Sequence, residues 1–285
     1  MNPARDDGPA MPGSAWTEWG GEGPALHFAH ANGFPPGSYR KLFAALSRRF
    51  RVTAMEARPM WPGAPVIPLP GWRPLVRDLG DALRARGMAG CVGVGHSLGA
   101  VCSMLAAAED PGLFRALVVI DPVLFTGLRS LTWRFIRRRG WMERVPLVRN
   151  AANRRHRWVS REAARDAYRQ KAFFASWDPD CLDDYLAAGL DGPEGDLRLR
   201  YPREWEARIF ADTPAALWGR IARVPVPTLV VRGAASDALT AAAARRARDT
   251  LPRGRLVEVP GTGHMLPVER PETVAAIVVE FLAGQ

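Results

Sequence analysis

The sequence predicts an α/β fold with a helical insertion, and three observations carry that expectation. Short apolar, β-branched runs alternate with helical segments from Ala25 to the C-terminus. One strand-to-helix junction holds the pentapeptide Gly95-His96-Ser97-Leu98-Gly99. The alternation then lapses between Asp121 and Thr228, where residues 123–223 read as helices.

Taken in order, Met1 to Ser14 are rich in proline, glycine and charge and lack an apolar stretch of the signal-peptide kind, so residues 1–14 are expected to be a mobile tail. Ala25-Leu26-His27-Phe28-Ala29 reads as a strand running into the turn-rich loop His30-Ala31-Asn32-Gly33-Phe34-Pro35-Pro36, with a helix around Tyr39 to Ser47. Cys91-Val92-Gly93-Val94 reads as a short buried strand and Ala100 to Ala108 as a helix packed on the sheet. Arg115 to Ile120 is the next strand, closed by Asp121-Pro122. After the insertion, Pro227 to Gly233 is a strand entering the loop Ala234-Ala235-Ser236-Asp237, and Thr240 opens an alanine- and arginine-rich helix. Arg255 to Pro260 is the last strand, ending at Gly261-Thr262-Gly263-His264, and Pro271-Glu272 begins a terminal amphipathic helix through Phe281. The two outer parts, 15–122 and 224–285, are thus expected to form one core.

Ser97 falls on a turn sharp enough to strain its backbone, which requires glycine two positions to either side and aims the N–H groups of a helix N-terminus at a reacting carbon. This is the pattern of a nucleophile elbow. A serine hydroxyl needs a histidine base and an acid to orient it, in the order serine, acid, histidine. Asp237 and His264 each stand at a strand end in that order, and Asp121 is the rival acid. Their bland readings are a helix N-cap region for Asp237, a surface loop for His264 and a turn-closing Asp-Pro for Asp121. An oxyanion hole is expected from the N–H groups of Leu98 and Asn32, although the loop at His30 would otherwise pass for an ordinary turn. His27 reads as a core residue and His96 as a packing neighbour.

At 285 residues the chain has room for one large domain with an insertion, and a hydrophobic fraction of 47% is ordinary for a globular core. Nothing is long enough to span a membrane. Cys91, Cys102 and Cys181 suit neither zinc nor a disulfide framework, and a reduced, cytoplasmic setting is expected. No glycine loop of dinucleotide or P-loop type is present, and no cofactor or metal is expected.

The net charge of +10 is carried by arginine, since Lys41 and Lys171 are the only lysines. Residues 129–171 hold fourteen basic side chains against Glu143, Glu162 and Asp166. No nucleic-acid motif accompanies this arm, so no nucleic-acid partner is expected. It is instead either a solvated helical face or a surface in which some of Arg134, Arg137, Arg138, Arg154, Arg155 and Arg157 meet an anionic substrate group or membrane. The insertion reads as helices over Ser130–Arg139, Ser160–Ser176 and Pro179–Ala188, the last capped by Asp178 and ended by Gly189. It holds Trp133, Trp141, Trp158, Trp177, Trp205 and Trp218, which are expected to pack a lid onto the core, with some facing Ser97 as an apolar pocket.

From about residue 25 onward the chain resembles the α/β-hydrolase superfamily, through the loop His30 to Pro35, the elbow at Ser97, and Asp237 and His264. The resemblance implies a mostly parallel, doubly wound sheet with helices on both faces and a site at the strand carboxyl ends. The loop departs from the family's commoner His-Gly-x-Pro form. With His30 matched and Tyr39 at the usual distance, Asn32 takes the oxyanion position and Ala31 replaces the glycine; a register shifted by two would use Phe34. Some members carry their acid where Asp121 stands. The expected function is a serine hydrolase cleaving a carboxylic ester of a small, lipophilic acyl substrate. A thioesterase, lactonase, amidase, carbon–carbon bond hydrolase or cofactor-free haloperoxidase would share the constellation. Epoxide hydrolase and haloalkane dehalogenase are disfavoured, because those relatives place aspartate at the position of Ser97. A hydrolase-fold binding or sensing module is the alternative from another class.

Overall fold

The apolar runs become strands and the amphipathic segments helices in the computed structural model, which describes residues 11–285. The chain opens with β1 (Trp16–Gly20), β2 (Ala25–Ala29), α1 (Arg40–Leu46), β3 (Arg51–Met55), α2 (Arg73–Ala85), β4 (Cys91–His96), α3 (Leu98–Glu109) and β5 (Phe114–Ile120). The inserted part holds α4 (Gly127–Arg138), α5 (Pro146–Ala152), β6 (Arg157–Trp158), α6 (Arg161–Arg169), α7 (Pro179–Gly189), β7 (Leu190–Asp191), β8 (Leu197–Leu199), α8 (Arg203–Ala211) and α9 (Trp218–Ile221). It is followed by β9 (Thr228–Gly233), α10 (Ala241–Thr250), β10 (Gly254–Val259), α11 (Leu266–Glu269) and α12 (Pro271–Ala283). Of the expected tail, residues 1–10 lie outside the described residues, and Gly13–Ala15 form a 3-10 turn leading into β1.

Seven strands form one sheet in the order β1-β3-β2-β4-β5-β9-β10. Only β1 runs antiparallel, against β3; every other pairing is parallel. Alternate side chains of a strand point to opposite faces, so a sheet covered on both sides must be apolar at nearly every position. β5 meets that condition: Leu117 and Val119 belong to the apolar cluster that also holds residues of α2, α3 and α10, while Ala116, Val118 and Ile120 belong to the one that holds residues of α1 and α12. The doubly wound sheet follows from that two-sided burial. Each fully buried Val, Leu or Ile contributes about 1.5–3 kcal/mol relative to exposure.

The inserted part departs from the expectation of helices alone. β6, β8 and β7 make a small antiparallel sheet, with Arg157 opposite Arg198 and Leu190 opposite Leu199. The expected helix over Ser160–Ser176 begins as read, with the Ser160 hydroxyl accepting from the Ala163 N–H, but α6 stops at Arg169. Lys171 is extended, and a 3-10 turn over Ala172–Phe174 follows. That break lets Phe174 reach both Tyr168 and Trp177, at ring separations of 4.8 and 4.7 Å, which a continuous helix would not. α7 is capped by the Asp178 carboxylate as read, with Gly189 as its last residue. No helix among the described residues is long and apolar enough to cross a membrane.

Candidate active site

β4 ends at His96 and α3 begins at Leu98, which leaves Ser97 alone on the turn with φ 53° and ψ −112°. A non-glycine residue avoids this region, and the surrounding packing must hold it there. The Ser97 N–H donates to Ile120 O at 2.9 Å, tying the turn to the end of β5. A Cβ on Gly95 would lie 2.6 Å from the Gly99 carbonyl carbon, and one on Gly99 would lie 2.1 Å from Ala29 O. Both positions therefore admit only glycine.

His264, on the loop after β10, places Nε2 at 3.0 Å from Ser97 Oγ. Its Nδ1 lies 2.7 Å from Oδ2 of Asp121, not of Asp237. Asp121 directly follows β5 with φ 44°, a second strained residue, and is fully buried. Its carboxylate also accepts from Ser236 Oγ at 2.5 Å and from the Gly233 N–H at 3.2 Å. With Nδ1–H donating to Asp121, Nε2 is left to accept from the serine hydroxyl. Asp237, the acid ranked first from sequence, is corrected: its side chain is exposed, and its carbonyl accepts from Arg129 Nη1 at 2.6 Å. The reason is sheet order. β5 adjoins β4 whereas β9 lies one strand further out, and the loop after β9 turns Ser236 inward against Asp121, leaving Asp237 at the surface.

On the other side of Ser97, the N–H of Leu98 is the first of α3, and neither it nor the N–H of Asn32 has an acceptor among the described residues. The Phe34 N–H donates to Ala31 O at 3.2 Å and closes the turn, which disfavours the register shifted by two. Asn32 is buried and held from the insertion: its Nδ2 donates to Glu206 O at 3.0 Å, and its Oδ1 accepts from Tyr201 OH at 2.9 Å. His30 Nε2 accepts from the Ala57 N–H at 2.9 Å, so Nδ1 carries the proton that is donated to Ala31 O at 2.8 Å. Burial holds the His30 imidazole neutral, its pKa lowered to about 4.

A chain of hydrogen bonds joins the two loops that flank Ser97. The His264 carbonyl can only accept, so His96 Nε2–H donates to it at 2.9 Å. His96 Nδ1 is then the acceptor for the Tyr39 hydroxyl at 2.9 Å, and that hydroxyl accepts from the Ala31 N–H at 3.3 Å. Burial, followed by the charge of His264 nearby, pushes the His96 pKa well down. His96 is thus more than the packing neighbour the sequence suggested. Sequence reasoning also missed Ser236, Tyr201 and Glu206, because each acts through a partner far along the chain.

Beside the Asn32 loop, Phe34 meets Tyr185, Trp177 and Phe173 at ring separations of 5.3, 5.7 and 6.3 Å. Next to them Arg154 donates to Glu206 Oε2 at 2.5 Å and to the hydroxyls of Tyr185 and Tyr168 at 2.7 and 3.1 Å. Burial raises the Glu206 pKa against the opposing pull of Arg154. The other arginines singled out from sequence lie elsewhere: Arg155 stacks on Trp158, Arg157 sits 3.8 Å from Asp196, and Arg137 donates to Asp212 O. All three cysteines are free and buried, and no metal-ligand cluster exists among the described residues.

The model of the alpha/beta hydrolase family matches residues 28–277. A 2-(acetamidomethylene)succinate hydrolase from Mesorhizobium japonicum is 25% identical over 268 residues, which cover 92% of this chain and 89% of that protein. A putative carbamate hydrolase from Klebsiella pneumoniae is 26% identical over 254 residues, covering 85% of this chain and 84% of its own. Among solved structures, E-2-(acetamidomethylene)succinate hydrolase superposes with a TM-score of 0.78 at 24% identity over 94% of each chain. The enol-lactonase from Burkholderia xenovorans superposes at 0.67 and 19% identity, covering 94% of this chain and 95% of that one.

Proposed function

This chain belongs to the alpha/beta hydrolase family, and we propose that it is a serine hydrolase cleaving a carboxylic ester or related acyl bond through an acyl-enzyme. The observation that carries this reading is the unbroken line from Ser97 Oγ through His264 to Asp121. Ser97 Oγ attacks the carbonyl carbon as its proton passes to His264 Nε2. Asp121 stabilises the imidazolium and fixes its tautomer. The carbonyl oxygen, now negative, takes hydrogen bonds from the N–H groups of Leu98 and Asn32, an arrangement in which one donor is worth about 10²–10³ in kcat. His264 then protonates the leaving group, and a water activated by the same nitrogen hydrolyses the acyl-serine.

The inserted segment acts in this reading as the lid. Through Tyr201 and Glu206 it holds the side chain of Asn32, so the oxyanion loop is set by lid and core together. The rings of Phe34, Phe173, Trp177 and Tyr185 supply an apolar wall for the acyl group. A substrate with an amide or carbamate bond is the second reading, favoured by the names of the two similar hydrolases. A binding module without catalysis is the third, and the complete Ser97–His264–Asp121 line argues against it.

A fluorophosphonate probe tests the proposal. It should label one serine, Ser97, and both labelling and turnover of a short nitrophenyl ester should vanish in Ser97→Ala. Labelling that survives the substitution would overturn the assignment. Comparing an ester with the amide of the same acyl group separates the first reading from the second.

A further inference from the structure

The outer face of α4 carries an apolar and basic surface that hydrolysis does not use. The helix contains no buried residue. One side of it is attached to the protein: Ser130 Oγ donates to Ala215 O at 2.8 Å, Trp133 Nε1 to Thr213 O at 3.1 Å, and Arg137 Nη1 to Asp212 O at 3.4 Å. At about 100° per residue these three form one stripe, and Leu128, Leu131 and Phe135 form the opposite one. Those three are 77%, 60% and 49% exposed. Arg134, Arg138 and Arg139 flank them and are also exposed. The surface continues past the helix into Trp141, with Arg139 and Arg144 stacked on its ring at 5.7 and 5.3 Å, and into exposed Leu147.

Arg134, Arg138, Arg139 and Arg144 make no ion pair among the described residues, and Glu143 is the only acid between Gly127 and Asn153. Exposed large apolar side chains bordered by unpaired cations form the pattern of a helix that lies in a lipid interface, with its apolar stripe at headgroup depth and its arginines on phosphate. We propose that this face docks the protein on an anionic lipid bilayer. A second copy of the chain is a poor occupant, because the net charge of +10 and two facing arginine clusters would repel. The surface lies close to the site already described. α4 starts six residues after Asp121, and its Arg129 donates to the carbonyl of Asp237, next to the Ser236 that holds the Asp121 carboxylate. Docking there would present lipophilic acyl substrates from the membrane side of the lid.

Co-sedimentation with vesicles of phosphatidylcholine alone, and with phosphatidylglycerol mixed in, tests this on the full chain. The protein should pellet with the mixed vesicles, release with added salt, and stay in solution with phosphatidylcholine alone. Each arginine at the surface should account for about fivefold in binding, so glutamine at Arg134, Arg138, Arg139 and Arg144 together should lower it on the order of a hundredfold or more. Leu131→Ser with Phe135→Ser should lower it by about tenfold or more without changing the melting temperature or the turnover of a soluble nitrophenyl ester. Ser97→Ala should bind as the natural protein does, so the docking result stands apart from the hydrolase assignment. Three results would each overturn the proposal: no binding to mixed vesicles, equal binding to both vesicle types, or binding indifferent to the Leu131 and Phe135 substitutions. A dimer in light scattering that the same substitutions dissolve would overturn it as well.

Discussion

Replacing Asp121 by asparagine isolates the orienting acid. The carboxylate accepts from three donors: His264 Nδ1–H, the Ser236 hydroxyl and the Gly233 N–H. An asparagine that keeps its oxygen on the Gly233 N–H turns its NH₂ toward His264, and the imidazole can pair with that NH₂ only by accepting at Nδ1. The proton then sits on Nε2 and points at Ser97 Oγ, the tautomer that cannot act as a base. A loss of about 10⁴ in kcat is expected, or about 5.5 kcal/mol of transition-state stabilisation at 1.36 kcal/mol per decade. Asp237→Asn should stay within about threefold, because its exposed side chain has no partner in the site and the backbone carbonyl that binds Arg129 is retained. Turnover of a short nitrophenyl ester by both variants, with folding checked by thermal melting, reads the difference. A large loss in Asp237→Asn, or a mild one in folded Asp121→Asn, would refute the reasoning.

The remaining predictions concern the surroundings of the site. Tyr39→Phe removes the hydroxyl between Ala31 and His96 and leaves a buried N–H and a buried ring nitrogen unpaired; the melting curve should register about 1–3 kcal/mol lost, and kcat should fall with KM little changed. His27 donates through Nδ1 to Thr53, its Nε2 is buried without a partner among the described residues, and burial lowers its pKa from 6.5 to about 3. The unfolded chain therefore binds a proton that the folded one refuses between those values, so stability present at neutral pH is lost as pH falls through that window, by about 5 kcal/mol once it is fully crossed. Urea melts at pH 7, 5 and 4 should show a shallower acid decline in His27→Leu, and parallel declines would refute the cause. Gly99→Ala should fail to fold or lose more than about 3 kcal/mol by circular dichroism, since its Cβ would meet the Ala29 carbonyl at 2.1 Å.

What the sequence discloses of this site depends on how local each requirement is. Ser97 is legible because a strand, a strained serine between two glycines and a helix are all demanded within one short stretch. His264 is legible as the histidine that follows the last strand of a parallel sheet. The acid is harder, because Asp121 and Asp237 both close strands in the correct order. The choice falls to the neighbour relation of β4 and β5 and to a Ser236 hydroxyl turned inward, neither of which is written beside the aspartates. The same holds for Tyr39, His96 and Glu206, whose partners lie 57, 168 and 174 residues away. In the insertion, the cap at Asp178 is a local signal and was readable. The two- and three-residue strands Arg157–Trp158, Leu190–Asp191 and Leu197–Leu199 are too short to carry a period, and the early end of α6 is imposed by the aromatic packing of Phe174.

The central claim, that Ser97 activated by His264 and Asp121 carries the acyl group, is tested most directly by trapping that intermediate. Mixing the protein with excess nitrophenyl ester and quenching rapidly in acid should give a burst of one nitrophenol per chain and, on peptide mapping by mass spectrometry, an acyl group on Ser97. The burst should be absent from Ser97→Ala and slowed by about 10⁴ in Asp121→Asn. Turnover without any burst adduct, or an adduct carried by a residue other than Ser97, would contradict it.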